Sequence, residues 1–190
     1  MTMRTLTRLA LTTLAVATLA ACGDGKDKAG ETSVADTQAV PTSRTLAASL
    51  QSESGYGGLV KVLDNSGLRD ALDGVGPYTL FAPGDAVLTG ADFTDPALKA
   101  EGAALLRAHI VPGALTRTDI IAAVDKSGGK GAQMRTMGGG LLTFTRSGQD
   151  VVATASDGAS ARMTGREVLA SNGVLQPLDG LLVKPSAAPN

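Results

Sequence analysis

One histidine and one cysteine are all the imidazole and thiol that the 190 residues hold, and this limits the chemistry within reach. A nucleophilic hydrolase needs a base placed beside its nucleophile, and no G-x-S-x-G turn presents a serine to His109. Lying between a helical stretch and the extended Ile110-Val111 ahead of Pro112-Gly113, His109 reads as a half-buried residue hydrogen-bonded to backbone. A single imidazole cannot build a multi-histidine metal site, and neither a C-x-x-C pair nor a calcium loop of alternating acids is present. Asp92 and Asp95 bracket Phe93 as paired carboxylates would. Asp95-Pro96 is also a helix start, which gives Asp95 to capping and Asp92 to solvent. Gly128-Gly129-Lys130-Gly131 is rich in glycine, but a phosphate-binding Walker A loop requires Gly at Val124 and Ser or Thr at Gly131. That segment reads as a solvated loop, and so does Gly138-Gly139-Gly140. No catalytic residue, metal or cofactor is expected.

Cys22 has a different setting. Arg4 and Arg8 precede the apolar run Leu9–Leu19, which has the length of a signal-peptide core and is too short to span a bilayer. Leu19-Ala20-Ala21-Cys22 resembles the lipobox of bacterial lipoproteins, in which small residues fit the peptidase and the thiol takes the lipid. The resemblance implies cleavage after residue 21, lipid attachment at Cys22 and an extracytoplasmic, membrane-held protein of the bacterial cell envelope. Each acyl CH₂ contributes about 0.8 kcal/mol when buried. Gly23 stands where an Asp would favour inner-membrane retention, so outer-membrane sorting is expected in a Gram-negative host. Residues 22–43 hold few large apolar side chains and much Gly, Thr, Ser, Asp and Lys, and read as a flexible tether with a typical span of about 25 Å.

Composition narrows the partners. Seventeen Lys and Arg against 18 Asp and Glu leave a net charge of −1, and aromatics are 3% with no Trp. Such a chain lacks both the basic field and the stacking platforms of a nucleic-acid binder. The 43% apolar content is that of a globular domain, placed here at residues 44–185, with residues 186–190 as a disordered tail. Leu59, Val60, Leu63 and then Leu68, Ala71, Leu72 predict two short helices. Tyr78–Ala82 predicts a strand ending at Pro83-Gly84. Asp95-Pro96 opens a helix that faces Leu98, Leu105 and Leu106 inward, and Thr116 with Asp119 fits a capping box. Strands are expected at Leu141–Arg146 and Val151–Ser156 around a four-residue hairpin loop. Further strands are expected at Ala161–Met163, Val174–Leu178 and Leu181–Lys184, with a helical turn at Arg166–Ala170. Helices followed by strands indicate an α+β fold. At Asn172-Gly173 the chain must reverse, and Gly173 is the expected holder of a positive φ.

Three segments in order carry a family resemblance. Thr79-Leu80-Phe81-Ala82-Pro83-Gly84-Asp85 resembles the first signature of fasciclin (FAS1) domains. Leu105-Leu106-Arg107-Ala108-His109-Ile110-Val111-Pro112-Gly113 resembles their central segment, and Ser171-Asn172-Gly173-Val174-Leu175 to Asp179-Gly180 their closing one. The resemblance implies a β-wedge packed with several short helices, with Thr79, Phe81, Ala82, Pro83, Asp85, His109, Pro112, Gly113, Asn172, Gly173 and Asp179 as structural motif positions. It also implies an adhesion or protein- and matrix-contact module without catalysis, the partner being an unidentified envelope, matrix or cell-surface protein. A carrier of an apolar ligand such as a carotenoid is the alternative, with Leu59, Leu63, Leu105 and Leu106 as its surface. Ala108 replaces the Tyr of a Tyr-His pair linked to adhesion in animal members, Gln176 replaces a frequent His and Gly84 replaces Thr. An adhesive role through that pair is therefore not expected.

Overall fold

The computed structural model describes residues 40–89 and 95–184. The leader, Cys22, the tether through residue 39, the Asp92–Phe93 positions and the tail from residue 185 lie outside the described residues. Local signals account for most helices. Thr45 caps α1 (Leu46–Ser52), accepting from the Ala48 amide. The apolar spacing at residues 59–63 forms α2 (Gly57–Ser66), which stops where Gly67 takes φ +74; α3 (Arg69–Asp73) follows. Asp95 accepts from the Ala97 amide and starts a 3-10 turn (Pro96–Leu98) that runs into α4 (Lys99–His109). The capping box forms as expected: Thr116 and Asp119 exchange hydrogen bonds at the start of α5 (Arg117–Lys126).

Nine strands make two sheets among the described residues. The five-stranded sheet runs, in spatial order, β1 (Val40–Pro41), β8 (Val168–Ala170), β9 (Gly173–Leu178), β2 (Tyr78–Pro83) and β3 (Ile110–Pro112). The four-stranded sheet is the sequential meander β4 (Ala132–Arg135), β5 (Leu141–Ser147), β6 (Asp150–Ala155) and β7 (Ser160–Arg162). An isolated bridge between Met163 and Leu178 joins the two.

The central pair, β2 and β9, is parallel, with Thr79 opposite Val174 and Pro83 opposite Leu178. Parallel strands are stable where both faces are covered, and these read as near-continuous apolar runs. Side-chain alternation sends Leu80, Ala82 and Leu175 into one core with Leu46, Leu59, Leu63, Leu72 and Leu106 of the helices. It sends Phe81 and Leu178 into a second core with Phe144, Val151 and Ala153 of the meander and Ile120 and Val124 of α5. Phe81 and Phe144 meet there with ring centroids 5.3 Å apart at 36°.

Several expectations are corrected. Helix α1 and strand β4 are not among the elements expected from the apolar patterns. The tether expectation extends to Ser43, whereas Val40–Pro41 pairs with Val168–Leu169 and the Thr42 amide donates to the Leu169 carbonyl. The expected helical turn at Arg166–Ala170 is instead β8, because its backbone finds an adjacent partner in β9, Ala170 lying opposite Gly173. The expected strand Leu181–Lys184 is irregular. Its Leu182 and Lys184 amides are taken by the side chains of His109 and Asp157 rather than by a neighbouring strand. The hairpin loop shortens to Gly148-Gln149, since Ser147 and Asp150 still pair.

Gly173 is corrected in mechanism. It does not occupy the left-handed region; instead a Cβ there would lie 2.0 Å from the Tyr78 carbonyl oxygen and 2.7 Å from Leu46 Cδ1. The glycine is required by close approach of β2 and α1, not by a turn dihedral. Gly148, by contrast, has φ +65, and a Cβ added to it would meet nothing within 4 Å. Gly173→Ala is therefore expected to destabilise the fold by about 3 kcal/mol, the upper end of what overpacking costs, and Gly148→Ala by about 1 kcal/mol. Urea denaturation of the two variants checks the ranking, and equal midpoints would contradict the steric account.

Candidate functional site

The three motif segments, far apart in sequence, fall on the neighbouring strands β9, β2 and β3 and their flanks. Their polar side chains bind backbone. Thr79 Oγ1 donates to the Gly113 carbonyl at 2.6 Å and accepts from the Leu115 amide at 2.9 Å, fixing the turn after β3, where Gly113 takes φ +110. Asp85 follows β2 in a 3-10 turn, and its carboxylate accepts from the Gly57 and Gly58 amides at 3.1 and 2.7 Å. It thereby satisfies donors at the start of α2 that have no partner within the helix. Asn172 Oδ1 accepts from the Leu46 amide at 2.8 Å, and its Nδ2 donates to the Leu72 and Gly74 carbonyls at 2.8 and 2.7 Å. One amide thus closes the start of α1 and the end of α3. Asp179 accepts from the Arg162 amide at 2.7 Å and ties the end of β9 to β7. Phe81, Ala82 and Pro83 are buried in β2, Pro112 is exposed at the end of β3, and Gly173 opens β9.

His109 is fully buried rather than half-buried, as the last residue of α4. Nδ1 lies 2.8 Å from the Leu105 carbonyl, and Nε2 accepts from the Leu182 amide at 3.0 Å. These partners require the neutral Nδ1–H tautomer. Burial lowers its pKa to about 4, the Leu105 hydrogen bond opposing. Both ring nitrogens hold backbone, so the residue clamps the chain at Leu182 and has no free atom for proton transfer.

A buried polar network lies beyond what the sequence patterns reveal. Gln176, inside the apolar strand β9, is fully buried. Its Nε2 donates to the Leu115 carbonyl at 3.2 Å and to the Glu167 carboxylate. Glu167 also accepts from the Arg117 amide at 2.7 Å, and the Arg117 guanidinium donates to the Gly165 and Thr164 carbonyls, each at 2.8 Å. Burial pulls the Arg117 pKa down from its ordinary value, against the nearby carboxylates of Glu167 and Asp150. A glutamine within Val174-Leu175-Gln176-Pro177-Leu178 is the available signal, since a polar side chain in a doubly covered strand must find partners.

The leucines expected to form an apolar-ligand surface are corrected: Leu59, Leu63, Leu105 and Leu106 are buried in the helix-side core and present no open face. Ala108, at the position of the missing Tyr, lines a shallow hollow of about 320 Å³ with Ala104, Leu141 and Val183. Gly84 has ordinary extended backbone and makes no side-chain cap at the 3-10 turn. Among the described residues, no three His, Cys, Asp or Glu side chains come together as metal ligands, and no helix is long and apolar enough to cross a membrane.

An α+β scaffold whose three signature segments brace one another through backbone-directed side chains defines a fold of the FAS1 type. A family model described as the Fasciclin domain matches residues 54–184, and the chain belongs to that family. Stabilin-1 of Homo sapiens is 32% identical over 154 residues, a stretch covering 77% of this chain and 6% of that protein. A solved FAS1 domain pair from the insect cell adhesion molecule fasciclin I shares the fold with a TM-score of 0.61 at 16% identity, over 74% of this chain and 51% of that one. The chain therefore spans about half of the solved pair and a small fraction of Stabilin-1.

The His109 clamp has a pH signature. Its folded pKa, about 4, lies below the ordinary 6.5, so the unfolded chain binds the extra proton between these values. The stabilisation is complete above pH 6.5 and is lost as pH falls toward 4. At about 1.36 kcal/mol per pH unit, the loss is on the order of 3 kcal/mol. Urea denaturation between pH 7 and 4.5 is expected to show this slope in the wild type and a flatter one in His109→Gln. Parallel profiles would assign the slope to other groups.

Proposed function

We propose that the protein is a lipid-anchored interaction module of the bacterial cell envelope, held to the membrane through Cys22 and making adhesive contacts with other macromolecules through its folded domain. The observation that carries this reading is the engagement of the motif side chains: Thr79, Asp85, His109, Asn172 and Asp179 all bind the protein's own backbone. The family pattern thus describes a scaffold and leaves the outer surface to make contacts. The solved relative, described as part of a cell adhesion molecule, supports the same reading. The lipobox-like Leu19-Ala20-Ala21-Cys22 and the polar stretch that follows supply a reason for such a module to be tethered, since a surface contact transmits no hold unless the module is fixed to the cell.

Labelled palmitate is expected to enter the wild-type protein and not Cys22→Ser, which moves from the membrane to the soluble extracytoplasmic fraction. In a Gram-negative host the wild type is expected in the outer membrane. Cells carrying the wild type are expected to bind immobilised envelope material better than cells carrying Cys22→Ser. Membrane retention of the variant would refute the anchor, and equal adhesion would refute the contact role.

A further inference from the structure

We propose that Asn172-Gly173 is a spontaneous modification site, closed in the folded protein and open in the unfolded one, whose product cannot rebuild the fold. The chemistry is succinimide formation. The Gly173 backbone nitrogen attacks Cγ of Asn172, the Cγ–Nδ2 bond breaks, and the proton given up by Gly173 leaves with Nδ2 as ammonia. Water then opens the five-membered imide at either carbonyl, leaving aspartate or, with the main chain rerouted through Cβ, isoaspartate. The sum is asparagine plus water giving a carboxylic acid plus ammonia. A glycine after the asparagine leaves the attacking nitrogen without a flanking side chain and lets the backbone turn toward Cγ. Of the asparagines in the chain, Asn65, Asn172 and Asn190, only Asn172 precedes a glycine.

The fold denies each movement that the attack requires. Cγ has to swing over the Gly173 nitrogen, yet both ends of the amide are held: Oδ1 accepts from the Leu46 amide at 2.8 Å, and Nδ2 donates to the Leu72 and Gly74 carbonyls at 2.8 and 2.7 Å. The peptide unit between the two residues has to turn, yet the Asn172 carbonyl accepts from the Tyr78 amide at 3.2 Å. Gly173 itself lies in register between Tyr78 on β2 and Ala170 on β8. A Cβ added at Gly76 or Gly173 would fall 2.0 Å from the Asn172 or the Tyr78 carbonyl oxygen, respectively, so neither flank has room. These contacts join α1, α3, β2 and β9, and the site opens only when the central junction does. A slow reaction of a briefly opened state follows the population of that state.

The product fails at the same contacts. An aspartate at position 172 has no N–H for Leu72 and Gly74, and it sets a carboxylate oxygen against two carbonyl oxygens. Isoaspartate lengthens the main chain by a methylene beside a strand pairing with no space for a Cβ. A chain that stays unfolded long enough to cyclise is thereby lost to refolding, and the Asn172 amide becomes a one-way record of unfolding.

This inference is independent of the interaction-module reading. The test holds the full chain in detergent at mildly alkaline pH, with and without urea, and follows replacement of NH₂ by OH at Asn172 by fragmenting tryptic peptide 167–190 in a mass spectrometer. Conversion is expected to be at least about a hundredfold slower in the folded protein, as the small population of opened molecules dictates. After urea is removed, the refolded fraction isolated by gel filtration is expected to carry the asparagine form alone, and its yield to fall in step with conversion. In mildly acidic urea, where the Gly173 amide keeps its proton, conversion and loss of refolding are both expected to disappear. Asn172→Asp is expected to refold no better than fully converted wild type. Equal rates with and without urea, converted chains in the refolded fraction, the same loss of refolding in acidic urea, or a wild-type urea midpoint in Asn172→Asp overturns the proposal.

Discussion

The close approach of β9 to β2 at Gly173 is the constraint on which the rest of the structure depends. No side chain fits there, because even a Cβ would stand 2.0 Å from the Tyr78 carbonyl oxygen. Gly76 faces the same restriction from the other side, with a Cβ position 2.0 Å from the Asn172 carbonyl oxygen. Between these two glycines the Asn172 side chain reaches Leu46, Leu72 and Gly74. A sheet junction tight enough to exclude a methyl group therefore also anchors two helices. Once β2 and β9 run parallel, both faces need cover, and the helices and the meander supply it from opposite sides.

That arrangement makes buried polar groups unavoidable and determines how they are satisfied. Chain segments entering and leaving a doubly covered sheet carry amides and carbonyls that the ladder does not pair. His109 takes the Leu182 amide, Thr79 takes the Leu115 amide, and Glu167 takes the Arg117 amide at the start of α5. In each case a side chain replaces the missing neighbouring strand or helical turn. The imidazole is kept neutral for a structural reason: in its burial, a charged ring would lose solvation and could no longer accept from Leu182. The same residue type that makes a general base in a cleft thus makes a clamp when sealed in a core.

What is legible in the sequence follows the range of the interaction. The Thr116–Asp119 capping box and the end of α2 at Gly67 are decided within a few residues, and the capping box forms as read. The ordered motifs identify the family and its α+β architecture, and the strands read at Tyr78–Ala82 and Val174–Leu178 both form, side by side. The errors lie where distant partners decide. Residues 168–170 pass for a helical turn until β9 is placed beside them, and Leu181–Lys184 pass for a strand until His109 and Asp157 take its amides. Gly173 has the expected importance for a different reason, since a turn dihedral is a local inference and a clash with Tyr78 is not. Gln176 stands out in the sequence only as a departure from the family pattern, although its place in an apolar strand requires partners such as Glu167 and Leu115.

What makes the fold is thereby separated from what makes a contact. A side chain already bonded to its own backbone cannot be withdrawn to meet a partner without exposing a buried amide or carbonyl, at a cost of about 1–3 kcal/mol. The motif residues are therefore poor sources of binding specificity, however well they identify the family. Specificity has to reside in side chains whose polar groups remain available, and among the described residues these include the exposed Arg166, in the β7–β8 loop. It stands outside the three signatures. Two chains with the same scaffold can accordingly meet different partners, because the side chains that build the junction at Gly173 are not the ones left free on the surface.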